Sequence, residues 1–235
     1  AIPGTVNQNK IIKSVNLGLK DYNIVDAINK EINLPIKIRN DAKCAALAEN
    51  KYGALKKYNR ILFMTLGTGI GGAVIINGNL LETGEYPGCE FGHMVIKENG
   101  LKCNCGRKGC FEKYGSMRAF KDNLRNELGL EDKTSGKELM AILKDTTKES
   151  KDYAKIEKVR KQYIRDLSVG IANLVNIFEP EAIGIGGSFV YFSEVLLQDV
   201  KKTILKEDML FNPRKEINIQ TAVLGNEAGI IGATL

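Results

Sequence analysis

Apolar positions along this chain follow two periods, which alternate from one end to the other. Residues 60–66 and 181–185 are apolar runs too short for helices, and they predict strands buried on both faces. Residues 73–76 predict another strand, and Asn77-Gly78 is a hairpin turn signal that sends the chain back through residues 79–81. Helical spacing appears over residues 22–32 behind Asp21 as N-cap, over 42–52, over 114–128, and from Thr134 or Ser135 to Leu143. A long amphipathic helix is expected over 153–178, closed by Pro180, and another over 190–205. Residues 36–38 alternate like a short strand, 216–222 read as the last strand, and 228–235 as a buried helix. Strands interleaved with helices predict an α/β fold. No repeat at a solenoid period interrupts the pattern.

Composition narrows the picture only a little. A chain of 235 residues with 43% hydrophobic content can bury one large core or two modest ones. The net charge of +6 is dispersed: residues 144–161 mix both signs and read as a wet helical face, not a nucleic-acid stripe. No stretch approaches the roughly 18 apolar residues that span a bilayer. Ala1-Ile2-Pro3-Gly4 resembles the tail of a strand entering a loop, with no signal-peptide pattern, so the protein is expected to begin further upstream.

The segment from His93 to Cys110 changes the picture most. It holds the only histidine and three of the five cysteines. His93 followed by Cys103, Cys105 and Cys110, in C-x-C-G-x-x-G-C, supplies four borderline-soft ligands, the set preferred by a tetrahedral zinc ion. Four protein ligands close the coordination shell, so the expected zinc is structural and fixes the loop. Cys44 and Cys89 lie apart, in apolar or tight-turn surroundings, and nothing points to a disulfide scaffold. Free thiols with a metal site fit the cytoplasm.

Glu90 and Glu112 flank this loop. With the free face of His93 they suit a ligand bearing several hydroxyls, although spacing alone leaves them equally readable as solvated surface groups. Asn40-Asp41 sits between a short strand and a helix, where a carboxylate is well placed for chemistry. Residues 67–72 contain a formal G-x-G-x-x-G, but β-branched residues follow it and no helix does, so the dinucleotide reading fails on context. A glycine loop between two strands can still aim N–H groups at phosphate, with Thr68 adding a hydroxyl. Gly186-Gly187-Ser188 joins a buried strand to a helix; missing side chains there admit an adenine ring or merely let strand and helix pack.

Taken together, Asn40-Asp41-Ala42, Leu66 to Gly72, Glu90-Phe91-Gly92-His93, the cysteine motif ending at Glu112 and Ile185-Gly186-Gly187 resemble the ROK family of bacterial sugar kinases and sugar-responsive repressors. The resemblance implies an actin-like/hexokinase-like ATPase fold of two α/β lobes with the active site between them. It implies Asp41 as catalytic base, Asn40, Glu90, His93 and Glu112 as sugar contacts, and Gly67, Thr68 and Gly69 as a phosphate loop, with Gly186 and Gly187 at the adenine. It implies zinc on His93, Cys103, Cys105 and Cys110, and Mg²⁺ arriving with ATP. Family kinases open with a strand and a D-x-G-G-T loop absent here. The first lobe is therefore expected to be largely missing: residues 1–41 its remnant, 42–222 the second lobe with the zinc loop at 93–110, and 223–235 a helix packing on the first lobe. The implied activity is ATP-dependent phosphorylation of a hexose 6-hydroxyl, glucose foremost, with N-acetylmannosamine or N-acetylglucosamine as other substrates. The alternative is the sugar-sensing domain of a repressor, which would touch nucleic acid only through an upstream helix-turn-helix. A homodimer is the expected assembly, and no membrane partner is expected.

Overall fold

The computed structural model describes residues 1–235 apart from 8, 15–16, 83–87 and 207. The chain opens with an antiparallel sheet of β1 (Thr5–Asn7), β2 (Lys10–Ser14) and β3 (Leu19–Asn23), in the order β1-β2-β3. The helix expected over 22–32 is shorter: α1 spans Ile24–Asn29 and is capped by Asn23, whose side chain accepts from Asp26 N at 3.2 Å. Asp21 belongs to β3, so pairing with β2 claims the residues that the periodicity gave to the helix. Residues 36–38 form no strand, and the nearest pairing is a single parallel bridge between Ile2 and Asn40. Three alternating residues without a neighbouring strand have nothing to hydrogen-bond to.

Next come α2 (Asp41–Lys51), β4 (Arg60–Leu66), β5 (Ile70–Ile76) and β6 (Asn79–Leu80). The β5–β6 turn is the expected hairpin, with Asn77 and Gly78 at φ 51° and 77°. Residues 70–72 belong to β5, so the loop before it is shorter than the glycine pattern predicts. The stretch expected as one helix over 114–128 is two: α3 (Glu112–Gly115) and α4 (Met117–Leu128), separated by Ser116. Ser116 is extended and accepts from Ala119 N at 3.1 Å as the cap of α4, while Tyr163 Oη donates to the Gly115 carbonyl at 3.1 Å.

Then follow α5 (Gly136–Asp145), α6 (Tyr153–Phe178), β7 (Ala182–Gly186), α7 (Ser193–Lys206), β8 (Ile219–Thr221) and α8 (Ala228–Ala233). The second sheet runs β6-β5-β4-β7-β8: β4 pairs antiparallel with β5 and parallel with β7, and β7 pairs parallel with β8. Alternation along β4 divides the core. Leu62, Met64 and Leu66 face the large cluster under α4, α6 and α7, whereas Ile61 and Phe63 face a smaller one with Ala46 and Leu55. The sheet is thus covered on both faces, with α2 on the second and α8 packed on α2. α8 lies against α2 closely enough that a Cβ on Gly232 would stand 1.7 Å from the Cys44 carbonyl oxygen. Its other side is open, since Ile230 is 73% exposed; the helix is not the buried one its composition predicts.

Candidate active site

Asp41 is the first residue of α2, and the Asn40 cap fixes it there. Asn40 Oδ1 accepts from Lys43 N at 3.2 Å, and its Nδ2 donates to the Gly4 carbonyl at 2.9 Å. Asp41 N donates to the Ile2 carbonyl at 3.0 Å. The residue is therefore held between the opening segment and the second sheet. Ala42 N donates to Asp41 Oδ1 at 2.9 Å. The residue is exposed, yet the protein around it removes enough water to raise its pKa above the ordinary aspartate range, an effect that the Ala42 hydrogen bond only partly offsets.

The first half of β5 forms the floor on which the other candidates meet. The floor works because it lacks side chains: Gly71 lies against the Ala42 methyl and Gly72 against the Phe91 ring, so a Cβ at either would overlap its neighbour. Glu112 Oε2 accepts from Ile70 N at 3.1 Å and rests against Gly69. Phe91–His93 is a 3₁₀ turn, and its Gly92 sits on the Ile70 carbonyl. Glu90, just before that turn, accepts from Thr5 Oγ1 at 3.1 Å, so it touches the opening sheet from the opposite wall. Both glutamates are thus engaged by the chain, not simply solvated. No spacing in the sequence marks Thr5 or Gly4 as site residues, because their partners lie far away in the chain.

Gly67, Thr68 and Gly69 form the turn between β4 and β5, with Thr68 exposed. Arg118 N, in the first turn of α4, donates to the Gly67 carbonyl at 3.1 Å. Gly187 (φ 74°) presses on the Leu66 carbonyl, to which Ser188 Oγ also donates at 3.5 Å. The two glycine stretches are therefore neighbours, and close contact with Leu66 accounts for Gly187 whether or not a ring binds there.

Beside this floor, the ligand atoms of His93, Cys103, Cys105 and Cys110 all lie within 4.8 Å of one another. His93 Nδ1 is 3.8 Å from Cys103 Sγ, and Cys105 Sγ is 3.6 Å from Cys110 Sγ. Bonds of about 2.3 Å to a central zinc give tetrahedral edges of about 3.8 Å, so the donor set fits that ion. The thiols also crowd one another electrostatically. Burial opposes ionisation of Cys105, but hydrogen bonds from the Arg107 backbone and guanidinium outweigh it and bring the pKa down to about 6. Cys110 is pushed up to about 12 by burial and by its sulfur neighbours. A divalent cation relieves that repulsion. Arg107 braces the loop further, its Nη2 donating to the His93 carbonyl at 2.6 Å.

A model of the ROK family matches residues 1–235. The chain belongs to the ROK family. It is 30% identical to the glucokinase of Streptomyces coelicolor, over 98% of this chain and 76% of that protein. It is also 30% identical to the xylose repressor of Bacillus spizizenii, over 86% of this chain and 51% of that one. The ROK glucokinase of Streptomyces griseus, solved in complex with glucose and AMPPNP, superposes with a TM-score of 0.83 at 26% identity, covering 98% of this chain and 77% of that one. The ROK fold is an α/β fold of the actin-like ATPase type, and the five-stranded sheet with helices on both faces is its core here. Among the described residues no helix of this ROK protein is long and apolar enough to cross a membrane.

Proposed function

We propose that this ROK chain is an ATP-dependent hexose kinase of the glucokinase type, and that Asp41 is its general base. The observation that carries the reading is the placement of Asp41: an exposed carboxylate of raised pKa at the junction of the opening segment and the second sheet, with Asn40 bonded to the one and Ala42 packed on the other. Similarity to glucokinases over nearly the whole chain supports it. In this reading Asp41 takes the proton of the sugar 6-hydroxyl as that oxygen bonds to the γ-phosphorus of ATP and the bond to the β,γ-bridging oxygen breaks, leaving ADP. Asn40, Glu90, His93 and Glu112 hold the remaining hydroxyls, and the Gly67–Gly69 backbone meets the phosphates, with Gly186 and Gly187 beside the adenine. Mg²⁺ carried in with ATP supplies charge neutralisation on the phosphates. His93, Cys103, Cys105 and Cys110 would hold one structural zinc, which would fix the imidazole in one orientation beside the sugar contacts. Residues 1–41 then form the near wall as part of the first lobe, residues 42–222 the second lobe, and 223–235 the helix that closes the chain against α2.

The test is turnover of the full-length protein that carries this chain, with Mg·ATP and a panel of glucose, N-acetylmannosamine and N-acetylglucosamine, because the lobe expected to hold the D-x-G-G-T loop is needed for catalysis. Hexose 6-phosphate and ADP should form in equal amounts, fastest with glucose; a preference for either acetylated sugar would reassign the substrate within the same chemistry. Binding of a sugar with no turnover on any of them would overturn the kinase reading in favour of a sugar sensor.

A further inference from the structure

The long helix α6 reaches the Cys/His loop through a polar contact that no part of the proposed chemistry uses. Asp166, only 8% exposed on its side chain, receives Lys97 Nζ at 2.7 Å on Oδ1 and 2.8 Å on Oδ2. Gln162, one turn earlier on α6, donates to Oδ1 at 3.0 Å. The same ammonium stands 4.3 Å from the centre of the Tyr114 ring. Tyr114 Oη in turn accepts from Leu101 N at 2.6 Å. Lys97 is therefore held by a carboxylate on one side and an aromatic face on the other, with its own backbone inside the loop.

We propose that Lys97, Asp166 and Tyr114 are positioning residues that set the Cys/His loop, and with it Glu112, against α6. Backbone bonds transmit the constraint. Lys97 N donates to the Gly109 carbonyl at 3.3 Å and Gly109 N to the Leu101 carbonyl at 2.9 Å, so fixing Lys97 fixes the strand of loop that ends in Cys110. Phe111 N donates to the Met94 carbonyl at 2.7 Å, which carries the alignment to Glu112 two residues before Tyr114. Glu112 is thus held from two directions: its carboxylate by Ile70 N in the sheet, its backbone by the tethered loop. An apolar contact would stabilise this junction as well as an ion pair does, but it would leave the loop free to slide. Two short contacts to one buried carboxylate define one position.

The substrate part of this inference rests on the hexose-kinase reading, so the experiment, done on the full-length protein that carries this chain, has two arms. Lys97→Met/Asp166→Val removes both charges with only a modest change of volume at each position, which should leave the melting temperature close to that of the parent; Lys97→Arg keeps the charge. Hydrogen exchange of the residues 97–114 should accelerate about tenfold in the apolar pair and little in Lys97→Arg, with the rest of the chain unchanged. The hexose KM should rise about tenfold while the ATP KM stays within about twofold. A purely structural ion pair predicts the opposite, a stable apolar variant with parental exchange and parental hexose KM, and that result would overturn the proposal. If the parent turns over no hexose the kinase reading fails by itself, and loop exchange still decides the tether. Should the apolar pair fail to fold, Asp166→Asn carries the same two measurements.

Discussion

Asp41 sits in surroundings that favour its neutral form, and this has two measurable consequences. Asp41→Asn should lower kcat by about two to four orders of magnitude with hexose affinity nearly unchanged, the loss typical of a missing general base. A fall of less than tenfold would remove Asp41 from that role. The raised pKa also fixes the sign of a stability effect. A carboxyl that binds its proton more tightly folded than unfolded favours the fold below its unfolded pKa, and that contribution is lost as pH rises through the folded value. The Asn variant should therefore gain in melting temperature relative to the parent as pH is raised from the acid range to neutrality. The parent's kcat/KM should rise with pH along a limb above the ordinary aspartate range. His93 and Glu112 separate in a similar way. His93→Ala should lose zinc and sugar-induced stabilisation together, whereas Glu112→Gln should keep its zinc and lose only the sugar response, as metal analysis and thermal shifts on each variant would tell.

At the scale of elements, α2 is held by Glu49 as much as by its apolar face. That side chain is fully buried. Its Oε1 accepts from Val223 N and Leu224 N at 2.9 and 2.8 Å, and its Oε2 from Ala54 N at 2.9 Å. One carboxylate thus joins α2 to the loop behind it and to the segment leading into α8. Glu49→Ala should cost about 3–5 kcal/mol in denaturant unfolding, because a fully buried side chain is removed and three backbone donors lose their acceptor. The sequence gives no hint of this, since a glutamate at a helical position looks solvated until its partners fold against it from the far end of the chain. Other elements were legible for equally physical reasons. β4 and α6 have the extents that their apolar runs predict, because each has enough residues for its period to be unmistakable. The Cys/His cluster was legible because its ligands are local. The break at Ser116 was not, because the carbonyl it frees is met by Tyr163 from another helix.

On the scale of the whole molecule, the candidate site belongs to no single element. The opening sheet contributes Thr5 to Glu90, α2 contributes Asp41, and β5 and α3 contribute the floor. Ligands that bridge these parts should raise the melting temperature more together than separately, and hexose with a non-hydrolysable ATP analogue is the pair to compare. Strict additivity would mean that sugar and nucleotide occupy independent places. The parallel pairing of β4 with β7 reaches further than geometry. Thr65 lies opposite Gly186, so the turn after Leu66 and the turn containing Ser188, 122 residues apart, emerge side by side. β7 must pair with β4, closing the intervening chain with α3 to α6 into one long connection, before those two turns become neighbours. A nucleotide gripped by both therefore finds no purchase on a half-assembled chain, nor on a transition state in which β7 is still unpaired. Bound nucleotide should act as a brake on unfolding alone: its rate should fall as ligand is added while the refolding rate stays constant, making occupancy a source of persistence rather than a guide to folding.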